Sequence, residues 1–243
     1  MKKHTFDEHY FDQIDDEHKA YWLGFIWADG YMGIRHRNGR ISYEFKLSLK
    51  EDDYLHLEKF NKDLNGNYSV KFYKQNTSFG KYAECRLFIT NQHFGRTLVE
   101  KYGLVPYRSD CSKILNNISA CLIPHFIRGL IEADGYFCKY KIIERGYSVD
   151  KYRVSIGTNE DILRFIEKYL MGKNLINMSE RKLCQRHEGK DGEYKTLEIT
   201  GKTQCLNILN YIYGNASIYL DRKYEKYLSI IDRQEDMNEL QAI

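Results

Sequence analysis

Hydrophobic and polar residues follow the same succession of spacings in two parts of the chain. Alternating runs at 31–37 and 41–50, and again at 136–144 and 151–157, predict two antiparallel strand pairs. Asn38-Gly39 joins the first pair, and this dipeptide is typical of a tight hairpin turn. Each part therefore begins its sheet with a hairpin.

Each strand pair is followed by a segment with the spacing of an amphipathic helix, at 52–64 and at 160–171. Asp52 and Asn159 stand where a side chain can accept a backbone N–H, and we expect them to be N-caps. Two more strand runs and a closing helix complete each part, so the order is helix–hairpin–helix–hairpin–helix, twice. These later segments lie at 67–74, 82–90 and 92–102, and at 177–186, 193–200 and 202–213.

This internal repeat predicts an α+β protein made of two similar αββαββα subdomains, 1–105 and 124–233. The only two prolines of the chain, Pro106 and Pro124, bracket the stretch 107–123, and we interpret 106–123 as a linker. Residues 234–243 are predicted to be a polar tail.

Composition narrows the class of protein. The 243 residues have a mean hydropathy of −0.62 and contain no apolar run near 18 residues, which argues against a membrane span. The first residues turn acidic before any apolar stretch, so we expect no secretory signal and a cytoplasmic location, in a bacterial or phage-like setting. Six scattered cysteines without a Cys-x-x-Cys pair indicate reduced thiols and argue against a disulfide scaffold or a structural zinc site.

Positive charge is concentrated in the predicted strands. The whole chain carries only +3, and residues 1–30 carry −4. By contrast, 31–50 carry +4, and 67–90 and 136–157 carry +3 each. A sheet with such a face is suited to a polyanion.

A nine-residue motif occurs twice, as Trp22–Gly30 and Ile127–Gly135, and both copies read apolar-x-Gly-apolar-Ile-x-Ala-Asp-Gly. The copies are 105 residues apart, and each precedes one of the predicted hairpins. Small residues four apart produce a flat helix face, so we expect the two helices to pack closely. The residues of this predicted interface are Gly24, Ala28, Gly129 and Ala133.

Asp29 and Asp134 close the two motifs, and Gly30 and Gly135 follow them in positions that suit a left-handed C′ residue. A carboxylate at the end of a helix is unfavourable, because free carbonyls and the helix dipole make that end negative. If the helices pack side by side, two carboxylates repel each other unless a hard divalent cation such as Mg²⁺ binds between them. The motif therefore favours a metal site.

The two motifs resemble the signature of the LAGLIDADG homing endonucleases in their double-motif, single-chain form, and the element order matches that family's half. The resemblance implies motif helices packed at the interface and antiparallel sheets that form a DNA-binding saddle. It implies a monomer without an obligate protein partner that hydrolyses phosphodiester bonds in both strands of a long double-stranded DNA target. Mg²⁺ would be the metal, with Mn²⁺ or Ca²⁺ able to occupy the same site.

The resemblance also implies roles for particular residues. Asp29 and Asp134, together with Ala28 and Ala133, would hold the metal. The family has a basic residue after the third helix of each half, which Lys223 matches and Arg108 replaces conservatively. Lys50 falls near a position that orders water, and its counterpart is expected at about Gly157 or Thr158, neither of which is basic.

One motif position departs from the family. Trp27 stands where the family commonly has an acid, whereas Glu132 keeps one. This position is not an inferred metal ligand, so the departure affects local packing.

Strand alternation indicates which side chains face the partner. In 44–50, Phe45, Leu47 and Leu49 are expected to face the core and Lys46 the outside. In the same way Val70, Phe72, Val154 and Ile156 are expected inward, and Ser155 outward. The candidate DNA-binding residues are Arg35, Arg37, Arg40, Lys46, Lys71, Tyr73, Arg86, Lys139, Lys141, Arg145 and Arg153. Phosphate contacts would supply affinity, and outward polar groups would read base edges.

A second class of function stays open at this point. The same fold can serve a DNA- or RNA-binding protein without cleavage activity, for example an intron maturase or a regulator. The presence of both acids favours the nuclease. An intron-encoded and a free-standing mobile element are equally compatible with the sequence.

Overall fold

The computed structural model describes residues 4–77, 80–105, 112–185 and 194–240. The chain forms two compact units, 1–129 and 130–243, and each contains a four-stranded antiparallel sheet. No helix within the described ranges combines the length and the apolar character needed to cross a membrane.

Unit 1 has the strand order β1-β2-β4-β3, with its helices on one face of the sheet. It ends within helix α5, whose first half, up to Gly129, belongs to this unit. Its elements are α1 (Glu17–Asp29), β1 (Gly30–Arg37), β2 (Arg40–Lys50), α2 (Tyr54–Asp63), β3 (Lys71–Thr77), β4 (Gly80–Thr90), α3 (Gln92–Glu100), α4 (Ser112–Leu115) and the start of α5 (Ile123–Asp134).

The core of unit 1 forms where the inner face of β2 meets aromatic residues of the helices. Trp22 of α1 lies with its ring centre 4.7 Å from Phe60 of α2, and Phe94 of α3 packs edge-on against Phe45 of β2. A polar cluster joins α1 to α2 at this core. The indole N–H of Trp22 donates to the Asp63 carboxylate (2.6 Å), and His18 lies 2.8 Å from the same carboxylate.

Unit 2 repeats the arrangement with the strand order β5-β6-β8-β7. Val154 and Ile156 of β6 and Leu197 and Ile199 of β8 are fully buried beneath α6 and α7. After the second half of α5, its elements are β5 (Tyr136–Glu144), β6 (Tyr147–Asn159), α6 (Glu160–Gly172), β7 (Cys184–Gln185), β8 (Tyr194–Thr200), α7 (Lys202–Tyr213) and α8 (Asp221–Leu240).

The element order confirms the predicted α+β class and the repeated αββαββα succession. Two helices were not predicted, α4 and the long α8, which continues through 234–240 of the expected polar tail. The division between the units falls inside α5 and not in the segment 106–123. The N-cap of α2 is Asp53, because a short 3₁₀ turn takes up Asp52. Asn159 caps α6 with its backbone and makes no side-chain capping bond.

The predicted alternation is confirmed in β2, where Phe45, Leu47 and Leu49 are buried. Phe72 and Ser155 lie on the predicted faces, since Phe72 stands opposite the buried Cys85 and Ser155 alternates with Val154 and Ile156, but their exposed fractions differ from what these faces suggest. Phe72 is 52% exposed, because β3 is an edge strand and Phe72 meets only the ring of Tyr54 among the described aromatic side chains. Ser155 is 4% exposed, since its register neighbours Tyr136 and Glu198 flank it on the outer face.

Candidate functional site

Helix α1 places the first motif in the middle of unit 1. The Asp16 carboxylate accepts the N–H of Lys19 (2.8 Å) and fixes the start of the helix. Every residue from Ala20 to Trp27 is buried, whereas Asp29 at the last helical position is exposed. The apolar motif residues therefore hold the helix in the core while its acidic end reaches solvent.

The first half of α5 makes the close backbone approach that the small residues predict. A Cβ added at Gly129 would lie 2.1 Å from the carbonyl oxygen of Tyr21 and 2.7 Å from the amide nitrogen of Phe25. Both atoms belong to the backbone of α1 and cannot turn aside. Only glycine fits at this position.

A buried ion pair accompanies this approach. The Arg128 guanidinium is fully buried, donates to Glu17 (2.6 Å) and lies over the ring of Tyr21. His125 lies 3.1 Å from Arg128, and burial, together with that positive charge, lowers the pKa of the imidazole. The pair thus joins α5 to the beginning of α1.

Gly30 and Gly135, which follow the two acids, are required for a reason other than the predicted left-handed conformation. Gly30 has φ −72° and continues into β1, and Gly135 is likewise outside the left-handed region. A side chain is excluded by crowding: a Cβ at Gly30 would lie 2.4 Å from the Ile26 carbonyl oxygen, and one at Gly135 would lie 2.7 Å from that of Ser155. The chain turns directly from helix into strand, and only glycine allows it.

Asp134 has a partner that the sequence did not reveal. The hydroxyl of Tyr194, at the start of β8, donates to the Asp134 carboxylate and lies 3.2 Å from the Gly157 carbonyl oxygen. The phenol therefore orients this carboxylate. The first half has Glu84 at the equivalent register position, because Lys50 pairs with Glu84 as Asn159 pairs with Tyr194.

Lys223 lies at the C-terminal end of α5. The residue is 8% exposed, and its ammonium group donates to the carbonyl of Gly135 (2.7 Å) and is 3.5 Å from that of Ile131. A cation there offsets the negative end of the helix dipole. The fully buried Glu132 accepts the backbone N–H of Leu220 (2.7 Å), directly before α8, and so fixes the helix that carries Lys223.

Two other basic residues, Lys50 and Arg108, were predicted to act near the cleaved phosphate. Lys50 is exposed at the end of β2, and the register gives Asn159 as its counterpart, not Gly157 or Thr158. Arg108 lies outside the described residues.

The outer face of the first sheet carries the predicted basic residues in a common register. Lys46 lies over the ring of Tyr31, and Arg86 lies over Tyr73 while it pairs with Glu84. Lys71 stands opposite Arg86, and Arg35 pairs with Glu44 (3.2 Å). Most of these cations are thus held in place by an acid or an aromatic ring.

Arg37 and Arg40 differ from the rest of this face. They are exposed, stand directly opposite each other at the end of the first hairpin, and form no ion pair within the described part of the chain. Like charges directly opposite each other destabilise a strand pair. A bound anion would relieve that repulsion.

In the second sheet the predicted residues divide between two faces. Arg153 faces outward and donates to Tyr136 (3.0 Å) and Tyr140 (3.3 Å), and the bond to Tyr136 raises the pKa of the guanidinium. Lys139 and Lys141 of β5 point to the other face of the sheet, together with the buried Phe137, so the structure does not bring them together with Arg153. Lys139 pairs with Asp150 (2.9 Å), which raises the pKa of the lysine. Arg145 is exposed in the hairpin turn.

The repeated αββαββα succession around two antiparallel sheets is the fold of the LAGLIDADG homing endonucleases. The I-SmaMI LAGLIDADG homing endonuclease bound to cleaved DNA is 12% identical, with a TM-score of 0.62 and an alignment that covers 94% of this chain and 92% of that chain. The meganuclease I-AabMI bound to uncleaved DNA is 12% identical, with a TM-score of 0.57 and coverage of 93% and 92% of the two chains. I-LtrWI bound to target DNA is 14% identical, with a TM-score of 0.58 and coverage of 91% and 92%. I-SmaMI has also been solved on an uncleaved target in the presence of calcium ions. No protein-family model matches the chain, and no curated protein matches it. At these identities the likeness establishes the fold.

Proposed function

We propose that the chain is a monomeric, site-specific endonuclease that hydrolyses both strands of a long duplex DNA target with the help of a divalent metal. The observation that carries the proposal is the fold, which is shared over more than nine-tenths of the chain with endonucleases solved on DNA. Both motif acids are also present, each at the last position of its helix.

The donor set at the motif ends fits a hard cation. Asp29 and Asp134 offer carboxylate oxygens, and the backbone carbonyl groups of the half-buried Ala28 and Ala133, next to them in the chain, would complete the set of oxygen ligands. Such ligands suit Mg²⁺, Mn²⁺ or Ca²⁺. A divalent cation held there would polarise the scissile phosphate and make a nearby water more acidic.

Neighbouring residues support these acids. Tyr194 holds the Asp134 carboxylate in one orientation through its hydroxyl bond. Lys223 offsets the negative charge of the helix end at which Asp134 lies. Lys223, Lys50 and Arg108 are proposed to stabilise the negative charge that develops on the phosphate.

The outer faces of the two sheets are proposed to contact the duplex. Arg37, Arg40 and Arg145 are exposed and suited to phosphates, since none of them forms an ion pair with another residue that the structure describes. The cations fixed by acids or aromatic rings, which are Arg35, Lys46, Arg86 and Arg153, are oriented well enough to read base edges. Lys71 and Tyr73 complete the proposed set on the outer faces. Lys139 and Lys141, which the sequence predicted for this set, lie on the opposite face of β5 and are left out of it.

The test uses Asp29→Asn and Asp134→Asn. A target is first selected from a randomised duplex library by its binding to the wild-type chain, and its cleavage is then assayed in the presence of Mg²⁺. Each variant should lose double-strand cleavage, because an amide cannot supply the negative charge that the cation needs, while DNA affinity is retained. The matched control is Asp161→Asn, which removes an exposed carboxylate in the first turn of α6 and should leave cleavage unchanged.

The outcomes separate the two classes of function. Full cleavage by either variant would overturn the metal assignment. Specific duplex binding by the wild-type chain, with no cleavage under Mg²⁺ or Mn²⁺, would instead support a DNA- or RNA-binding protein of the same fold.

A further inference from the structure

Two histidines and an aspartate meet in unit 1, away from the motif acids in the sequence. His9 Nδ1 lies 2.7 Å from one carboxylate oxygen of Asp12, and His93 Nε2 lies 2.7 Å from the other. All three donor atoms lie within 4.8 Å of one another. The two imidazole rings are 4.2 Å apart between centres. Two imidazole nitrogens and a carboxylate group therefore lie close enough together to be ligands of one ion.

We propose that His9, Asp12 and His93 bind one Zn²⁺ ion. Imidazole nitrogen with one carboxylate is a donor set that suits Zn²⁺ and other late transition metals, whereas Mg²⁺ and Ca²⁺ prefer oxygen ligands. The site is thus chemically distinct from one built on Asp29 and Asp134. It contains no cysteine, which is why cysteine spacing cannot reveal it.

The geometry needs only a small adjustment to hold the ion. Zn–N bonds of about 2.0–2.1 Å in a tetrahedral site place the ligand atoms roughly 3.3 Å apart. The two hydrogen-bonded N–O separations of 2.7 Å, which involve different oxygens of Asp12, would widen by about 0.6 Å, with the ion replacing the hydrogen-bonded protons. The longer separations among the three groups, at most 4.8 Å, would shorten by no more than about 1.5 Å. Side chains that are 63%, 38% and 40% exposed for His9, Asp12 and His93 have room for this movement and for water in the fourth position.

The backbone around the cluster is already fixed. The N–H of Asp12 donates to the carbonyl of His9 (2.8 Å), and the hydroxyl of Tyr102 donates to the carbonyl of Phe11 (2.9 Å). His93 lies in the first turn of α3, and Thr97, one turn further on, donates to the Asp12 carboxylate (3.3 Å). The backbone therefore has little conformational entropy to lose when the metal binds.

The surrounding charge favours a cation. Asp7 accepts the backbone N–H of His9, and Glu8 accepts a hydrogen bond from Asn91 beside α3. Lys101 is a cation beside the cluster, but its ammonium group donates to the backbone carbonyl of Asp12. A bound ion would join the segment before α1 to α3, two parts of the chain that lie 81 residues apart at Asp12 and His93.

The test is calorimetric titration of the full chain with Zn²⁺. Every sample carries Cys121→Ser and Cys184→Ser, because these exposed thiols could bind zinc themselves, and contains excess Mg²⁺ to fill oxygen-donor sites. The starting protein should bind one Zn²⁺ with high affinity, and Asp12→Asn or His9→Ala/His93→Ala should weaken that binding at least about 100-fold, since a direct ligand contributes more than the outer-shell partners whose loss costs 10–100-fold. His36→Ala, which removes an exposed histidine of β1, should change nothing.

Two further measurements guard against a variant that is merely unfolded. Circular dichroism checks each fold, and Co²⁺ substituted for Zn²⁺ should give visible absorption bands of a tetrahedral site in the starting protein and in Asp29→Asn/Asp134→Asn, but not in Asp12→Asn. Absence of tight zinc binding in the starting protein would overturn the proposal, as would unchanged zinc affinity in folded Asp12→Asn.

Discussion

Gly129→Ala tests the close approach of α5 to α1. The added methyl would lie 2.1 Å from the Tyr21 carbonyl oxygen, whereas ordinary contacts of a Cβ begin at 3.4 Å. The two helices would have to move apart locally by about 1.3 Å. Since the atoms that clash belong to backbone, no rotamer change can absorb the movement.

The expected cost follows from two opposing contributions. Overpacking in a rigid core costs about 1–3 kcal/mol, and a clash with backbone belongs at the upper end. Replacing glycine by alanine inside a helix returns about 1 kcal/mol. The net loss of about 2 kcal/mol in the free energy of unfolding should lower Tm by about 4–8 °C in a protein of this size.

Thermal unfolding followed by circular dichroism measures this loss. Gly172→Ala is the matched control: Gly172 is the last residue of α6, and a Cβ there would meet nothing within 4 Å. It should leave Tm unchanged or raise it slightly. A Gly129→Ala protein that melts no lower than the Gly172→Ala protein would refute the argument from close backbone contact.

Two further predictions concern charge. Arg37→Ala/Arg40→Ala should reduce the slope of log K for duplex binding against log salt concentration by about 1.8, at about 0.9 per phosphate contact. The control Arg96→Ala/Lys168→Ala removes two exposed cations from helices and should leave this slope unchanged. Equal slopes in the two double variants would show that the hairpin arginines do not contact phosphates. His18→Asn should lower stability near pH 5.5 and hardly change it near pH 8.5. The hydrogen bond to its aspartate partner raises the pKa of His18 above 6.5 in the folded state, so its contribution is present below that pH and is lost as the pH rises through the folded pKa. Urea unfolding at the two pH values measures it, and equal losses at both would contradict the assignment.

Local patterns were sufficient to predict most of the helices and strands. The Asn38-Gly39 turn and the alternation in β2 involve neighbouring residues, and both occur as expected because their causes lie within a few positions of the chain. The helix α8 was missed because its sequence is mostly polar and its position depends on the bond from Leu220 to Glu132, which is distant in sequence.

The details of the site depended on contacts that no local pattern contains. Gly30 was expected to adopt a left-handed conformation, but crowding against Ile26 and Phe45 determines it, and Phe45 reaches it only through strand pairing. Tyr194 approaches Asp134 because β8 pairs with β6, and 60 residues separate the two. The acids themselves were identified because the motif occurs twice.

Helix α5 has a consequence for any attempt to divide the protein. Its first half, with Arg128 and Gly129, packs on α1, although the chain break that looks most convenient lies upstream of it, in 106–123. In a fragment that starts at 124, the buried guanidinium of Arg128 would lose its partner Glu17. In the other fragment, the surface of α1 around Tyr21 would lose the helix that covers it. Halves of this protein should therefore be poorly soluble when expressed separately, and exchanging halves with a relative requires that α1 and the start of α5 travel together.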